Sequence, residues 1–216
     1  MAAHIGHIKE LPAKRGRQDD RAQERREEIL AGARRCFLNI GFHRTTLRDI
    51  AQELEMSVGH IYNYFESKEA IIEAMVRRET EQFLAMLRED TSWATNEPSA
   101  VRRHFERVVD AFLDRESAYL AISFMDEALS NERIYDLTVS VSKEFRQQIL
   151  GLCEKTNHSA PREQWETQVI FMRSVLEGLR MAVLFNPEVD KAQLREVAVD
   201  RLLLLAQANR QASLKD

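Results

Sequence analysis

A chain of 216 residues that is 44% hydrophobic and 31% charged can bury a real core and is too apolar to read as disordered. No apolar run approaches the roughly 20 residues that cross a bilayer, and the N-terminus lacks the apolar stretch of a signal peptide, so the expectation is a soluble, cytoplasmic protein with no membrane contact. The net charge of −4 argues at first against nucleic acid, but Met1 to Phe65 carry eleven Lys and Arg against nine Asp and Glu, and the remainder 20 against 26. Only the face that meets phosphate has to be positive.

Seven glycines, four prolines and almost no alternating apolar runs predict helices throughout. Residues 1–21 are polar, with Lys14, Arg15 and Arg17 close together, and read as a mobile arm; such an arm either enters a minor groove or has no role. The first helix runs from about Gln23 to Ile40, with Ile29, Leu30, Ala33, Cys36, Phe37 and Ile40 in one stripe. Gly41 stands where a left-handed C-terminal cap is expected. Cys36 reads as a buried free thiol, and Cys153 is too distant in sequence to suggest a disulfide framework.

Thr46 is a good N-cap for a short helix, and Asp49 favours its positive end. Leu47, Ile50, Ala51 and Leu54 form the inner face. Ser57 then caps a second short helix, in which Val58, Ile61, Tyr62 and Phe65 recur at steps of three and four. Ser67 caps the next, which carries Ile71, Met75, Phe83 and Leu87. Thr91 to Ser99 is a loop. Amphipathic helices follow around Val101 to Phe112, Leu120 to Leu129, and, after the Asn131 cap, Ile134 to Leu152. Thr156 to Pro161 is a break. Trp165 to Val183 marks a helix that stops at Asn186-Pro187, and Leu194 to Leu205 marks the last.

Two helices as short as Thr46 to Glu55 and Ser57 to Phe65, joined by a tight turn, cannot fold alone. The long first helix and the helix after Ser67 must pack against them. This is the layout of a helix-turn-helix, whose second short helix enters the major groove. His60 and Asn63 suit base edges or phosphates, Gly59 lets the backbone approach DNA, Tyr62 and Tyr64 carry hydroxyls for phosphate, and Lys68 adds a cation.

The run Thr45-Thr46-Leu47-Arg48-Asp49-Ile50-Ala51, continued through Ser57-Val58-Gly59-His60-Ile61-Tyr62-Asn63-Tyr64-Phe65-Glu66-Ser67-Lys68-Glu69, closely resembles the DNA-binding signature of the TetR/AcrR family of regulators. Ile29-Leu30 to Phe37, then Gly41-Phe42, resembles the first helix of those proteins and its end. The resemblance is specific from about Arg26 to Ile72. It implies that Thr46 and Arg48 touch phosphates, that Ser57, Gly59, His60 and Asn63 face the groove, and that Tyr62, Tyr64 and Lys68 grip the DNA backbone. Tyr62 also has a core reading, beside Ile61. The chain departs from the family pattern twice. Glu55 stands where many members have Gly in the turn, so the turn either places a non-glycine residue or bends differently. Val58 stands where many have Lys or Arg, so one phosphate contact is missing or Val58 meets a thymine methyl group.

Beyond about Glu79 the resemblance is general. It implies an all-α protein: a flexible arm (1–21), a three-helix DNA-binding head (22–68), and a larger helical body (69–216) that binds a ligand and dimerises through its last two long helices. Aromatic and methionine side chains in the body read mostly as core; those assigned to an effector pocket are Phe105, Phe112, Phe124, Glu127, Phe145, Met172 and Glu177, with Asp126 and Arg173 as further polar candidates. Trp165, Met172, Leu176, Gly178, Leu179, Val183, Leu202 and Leu205 are assigned to the dimer interface, because the apolar faces of their helices look too wide for one partner.

The function implied is a homodimeric regulator, by the family's commoner mode a repressor, released from a palindromic operator by an unidentified small molecule. A DNA-binding factor without small-molecule control is the alternative. An all-helical enzyme is a weaker one. A di-iron bundle needs Glu-x-x-His pairs, which are absent; the six histidines are scattered, with His4 and His7 in the arm; and neither a Gly-rich phosphate loop nor a Gly-x-Ser-x-Gly elbow occurs. No catalytic residue, metal or cofactor is expected.

Overall fold

The computed structural model describes residues 13–89, 97–156 and 162–212, and every regular element among them is helical. The chain divides into two compact units, residues 1–71 and 72–216.

The first unit contains α1 (Ala13–Ile40), α2 (Leu47–Glu53), α3 (Val58–Tyr62) and the start of α4 (Lys68–Glu89). Its core holds Ile29, Leu30, Ala33, Cys36, Phe37, Phe42, Ile50, Ala51, Ile61, Phe65 and Ile71. Fully burying a side chain such as Ile50 or Ile61 contributes roughly 1.5–3 kcal/mol, which is how helices of seven and five residues persist. At Gly32 of α1 a Cβ would lie 2.7 Å from the Leu54 side chain, so the two segments pack at a distance only glycine permits. The buried Thr45 hydroxyl donates to the Gly41 carbonyl at 2.8 Å, satisfying a polar group that would otherwise be costly.

α1 starts about ten residues before the apolar stripe suggested. Ala13 to Glu28 has few apolar residues but many straight-chain ones of good helix propensity, so helix forms there without a core-facing stripe to announce it. α1 thus takes in residues 13–21 of the expected arm, and residues 1–12 lie outside the described residues. α3 ends at Tyr62 rather than Phe65; Asn63 is its C-cap, and Tyr64 and Phe65 belong to the following turn.

The second unit contains the rest of α4, then α5 (Pro98–Leu113), α6 (Arg115–Ser130), α7 (Glu132–Thr156), α8 (Arg162–Phe185) and α9 (Lys191–Ala212). Boundaries follow local chemistry. Pro98 opens α5 at a position where its missing N–H costs nothing. Asp114 caps α6 by accepting from the Ser117 N–H at 2.8 Å, and Asp190 caps α9 by accepting from the Ala192 N–H at 2.9 Å. The core joins Leu87, Val101, Phe105, Val109 and Phe112 to Leu176, Leu179, Val183, Val199 and Leu202. Across its surface edge, Arg102 pairs with Asp200 at 2.7 Å and Arg195 with Asp110 at 2.7 Å, fixing α5 beside α9. No helix among the described residues is long and apolar enough to cross a membrane.

Candidate nucleic-acid interface

The joint between α2 and α3 is built by two opposing caps. At its start, Thr46 forms a complete capping box. Its Oγ1 accepts from the Asp49 N–H at 3.3 Å, and its own N–H donates to Asp49 Oδ2 at 2.7 Å. The Thr46 hydroxyl also donates to Asp49 Oδ2 at 2.6 Å. These bonds to the carboxylate hold the Asp49 pKa below its ordinary value, the hydroxyl contributing most. Both donors of Thr46 are engaged inside the helix cap, and the residue itself is exposed.

At its end, α2 closes with paired bonds: the Met56 N–H donates to Ala51 O at 2.8 Å and the Glu55 N–H to Gln52 O at 3.1 Å. This is a Schellman cap, whose C′ residue has to adopt the left-handed conformation. That residue is Glu55, at φ +52°. The turn therefore keeps its ordinary path and holds a non-glycine residue in it, at a cost of about 1 kcal/mol. Gly41 does the same after α1, at φ +96°, as the sequence suggested.

α3 then begins at Ser57, whose Oγ accepts from the His60 N–H at 3.1 Å. Ile61 is fully buried and anchors one side of this single turn. The opposite side is open. Ser57, Gly59, Tyr62 and Asn63 are exposed, and Val58 and His60 are half-buried. Tyr62 is 56% exposed, which removes its core reading. A Cβ on Gly59 would meet only Ser57 Oγ, at 3.9 Å. The His60 ring packs edge-on to Tyr64 at 5.4 Å between centroids, which orients both. Arg48 on α2 is exposed.

Two cations brace this surface. Arg26 of α1 donates to the Tyr64 carbonyl at 2.7 Å and lies 4.3 Å over the Phe65 ring, locking the chain that leaves α3. The sequence reading placed no role on Arg26, because a polar residue one turn before an apolar stripe looks like solvated surface. Lys68 donates to the Phe42 carbonyl at 3.2 Å and lies 5.6 Å from the Phe42 ring. It also donates to the His43 carbonyl at 3.5 Å, so its ammonium ties the start of α4 to the segment after α1.

In the second unit the residues assigned to a pocket differ in burial. Phe105, Phe112, Phe124 and Glu127 are buried, and Glu127 accepts from Asn131 Nδ2 at 3.2 Å. Phe145, Met172 and Glu177 are half-buried. Phe83 joins Phe112 and Phe145 at centroid distances of 5.6 and 5.7 Å, so these three form one aromatic row. Of the residues assigned to the interface, Leu176, Leu179, Val183 and Leu202 are buried in the protomer's own core. Trp165, Met172 and Leu205 are half-buried, and Gly178 is exposed with nothing within 4 Å of a Cβ built on it. Other apolar side chains of α8 and α9 face outward: Ile170, Phe171, Met181 and Phe185, then Val197 and Leu204.

Residues 29–75 match the family model described as bacterial regulatory proteins, tetR family. The HTH-type transcriptional repressor Rv1474c of Mycobacterium tuberculosis is 40% identical over 68 residues, which is 32% of this chain and 36% of that protein. The match to this curated relative thus spans about a third of its length. Among solved structures, a chain from Mesorhizobium loti described as a TetR-family transcriptional regulator superposes with a TM-score of 0.71 at 15% identity, covering 89% of this chain and 98% of that one. A chain from Saccharomonospora viridis, described as a transcriptional regulator in complex with choline, superposes with a TM-score of 0.61 at 21% identity, covering 82% of this chain and 95% of that one.

Proposed function

We propose that this chain is a regulator of the TetR type, a homodimeric repressor that binds a palindromic operator through α3; the family-model match over residues 29–75 supports the reading. The observation that carries this reading is the open face of α3: a glycine and three exposed polar residues beside one fully buried isoleucine. A buried anchor with an empty opposite face fits a helix whose partner is elsewhere, and a major groove admits such a helix. Ser57, Val58, His60 and Asn63 meet base edges, Gly59 permits close approach, and Arg48, Tyr62, Tyr64 and Lys68 meet phosphates.

Dimerisation uses the outward stripe of α8, Ile170, Phe171, Ser174, Gly178, Met181 and Phe185, with Val197 and Leu204 of α9. The two small residues near its centre let a two-fold copy of the helix come close. Release from DNA follows small-molecule binding in the second unit; that a chain of this fold holds choline supports a small-molecule occupant without identifying this one.

Selection from a random duplex library tests the operator reading. Enrichment of a palindrome with half-sites about 34–36 Å or a multiple apart is the expected result. A pool from which no sequence emerges refutes it.

A further inference from the structure

Three charged residues of α8 lie along one stripe of the second unit. Arg180 Nε is 3.1 Å from Glu177 Oε2, and Arg173 Nε is 3.7 Å from Glu177 Oε1. One carboxylate therefore serves two guanidinium groups. The inner pair is badly aligned: Arg180 Nε and Glu177 Oε2 are both buried and neither completes a hydrogen bond, while another Arg180 nitrogen donates to the Ser117 carbonyl at 3.1 Å. Each guanidinium also covers an aromatic ring. Arg180 lies 4.4 Å over Phe112 and Arg173 lies 4.9 Å over Phe145. Phe83 bridges those two rings, so the row Phe112–Phe83–Phe145 has an arginine at either end.

The charge count is unbalanced where imbalance is costly. Burial lowers the Arg173 pKa from its ordinary value; Glu177 opposes that shift, while Arg180 and Arg146 of α7 add to it. A half-buried cluster with more cations than anions is stabilised by a further anion. Arginine suits a carboxylate or phosphate because its planar fork binds two oxygens at once. The half-buried Phe83 and Phe145 rings lie next to that fork.

We propose that this cluster is the effector site and that its ligand is an anionic group carried on an apolar body, its charge seated between Arg173 and Arg180 in competition with Glu177 and its apolar part against Phe83 and Phe145. The inference rests on the reading of this chain as a ligand-controlled regulator and narrows the effector to one charge class. An ammonium ligand is disfavoured by the same excess of arginine.

Calorimetric titration of the full chain, without DNA, tests it with decanoate and 4-phenylbutyrate against decanol and decylamine. At least one carboxylate binds about tenfold or more tightly than the alcohol and the amine, the difference expected for one charge-assisted hydrogen bond. Arg180→Met and Arg173→Met each lose that preference. Glu177→Gln removes the competing carboxylate and tightens carboxylate binding several-fold, which a merely structural glutamate does not predict. Arg173→Met leaves the melting temperature of the ligand-free protein unchanged or raised, so its loss of binding is not a loss of fold. Failure of both carboxylates to bind, equal binding of the amine or alcohol, or weaker binding by Glu177→Gln overturns the proposal. Selection of an operator by the same preparation keeps the two readings apart. Operator binding without carboxylate binding sinks this inference alone, and carboxylate binding that leaves operator affinity unchanged sinks the ligand-controlled switch instead.

Discussion

Replacing Gly59 by alanine puts a methyl group into open space, since the nearest heavy atom to it is Ser57 Oγ at 3.9 Å. The backbone there is helical, with no positive φ to favour glycine. Alanine in place of glycine inside a helix stabilises by about 0.5–1 kcal/mol. Gly59 is the second residue of a five-residue helix, so the lower end applies. Folding stability therefore rises slightly. Operator affinity moves the other way if α3 lies in the groove. Leucine at the same position would push α3 outward and forfeit the base contacts of His60 and Asn63, each worth about 1–3 kcal/mol. That is on the order of 10- to 100-fold per contact. The assays are urea denaturation followed by circular dichroism, and fluorescence anisotropy with a labelled operator duplex. A Gly59→Leu protein that keeps wild-type stability and wild-type operator affinity would refute the placement of α3.

Glu55→Gly relieves the left-handed backbone at the α2–α3 turn and raises stability by up to about 1 kcal/mol, whereas Glu55→Val lowers it; equal denaturation midpoints for the two would show that the turn is unstrained. Thr46→Ala removes the cap of α2 and costs about 1 kcal/mol of stability at neutral pH. Asp49 has a folded-state pKa below its unfolded value, so its contribution is present above the ordinary carboxylate range and is lost as pH falls through the lowered pKa; the melting temperatures of wild type and Asp49→Asn should accordingly converge on acidification, and a constant gap down to pH 2 contradicts this. Gly178→Leu meets no atom within the protomer, so it leaves the monomer fold intact and shifts sedimentation towards monomer; an unchanged dimer would move the interface off α8.

The head was legible to an unusual depth because its signals are local. Thr46, Ser57 and Ser67 cap the next helix through side-chain bonds to the backbone three residues on, and each is visible as a residue type at a fixed offset. Gly41 is visible for the same reason. Glu55 was flagged only as a departure, since a residue type alone does not say whether a turn tolerates strain or changes path. Arg26 was missed because its partners, the Tyr64 carbonyl and the Phe65 ring, are almost forty residues away. Spacing identifies a hydroxyl at a helix start, but not that the Thr46 N–H and O–H both donate to Asp49.

The body shows where periodicity stops being informative. Leu202, Leu203 and Leu204 are successive identical residues, yet the first is fully buried, the second half-buried and the third 53% exposed. Rotation of 100° per residue fixes their relative directions, but nothing in the run says which direction faces the protomer's own core. The same ambiguity holds in α8, where Leu176, Leu179 and Val183 are buried while Ile170, Phe171 and Met181 are exposed. An apolar residue is required equally by a core and by an interface, so sequence pattern alone assigns it to the sum of the two. Only the chain's own packing separates them. The separation has a consequence for how such a body changes in sequence. Inward positions such as Val183 and Leu202 are held by volume, and truncating them to alanine leaves a cavity that costs about 2–5 kcal/mol for a leucine. On the proposed reading, outward positions such as Phe171 and Phe185 answer to a second copy and the cluster around Arg173, Glu177 and Arg180 answers to a ligand. Three different constraints would then share α8, and a single hydropathy pattern averages over all of them.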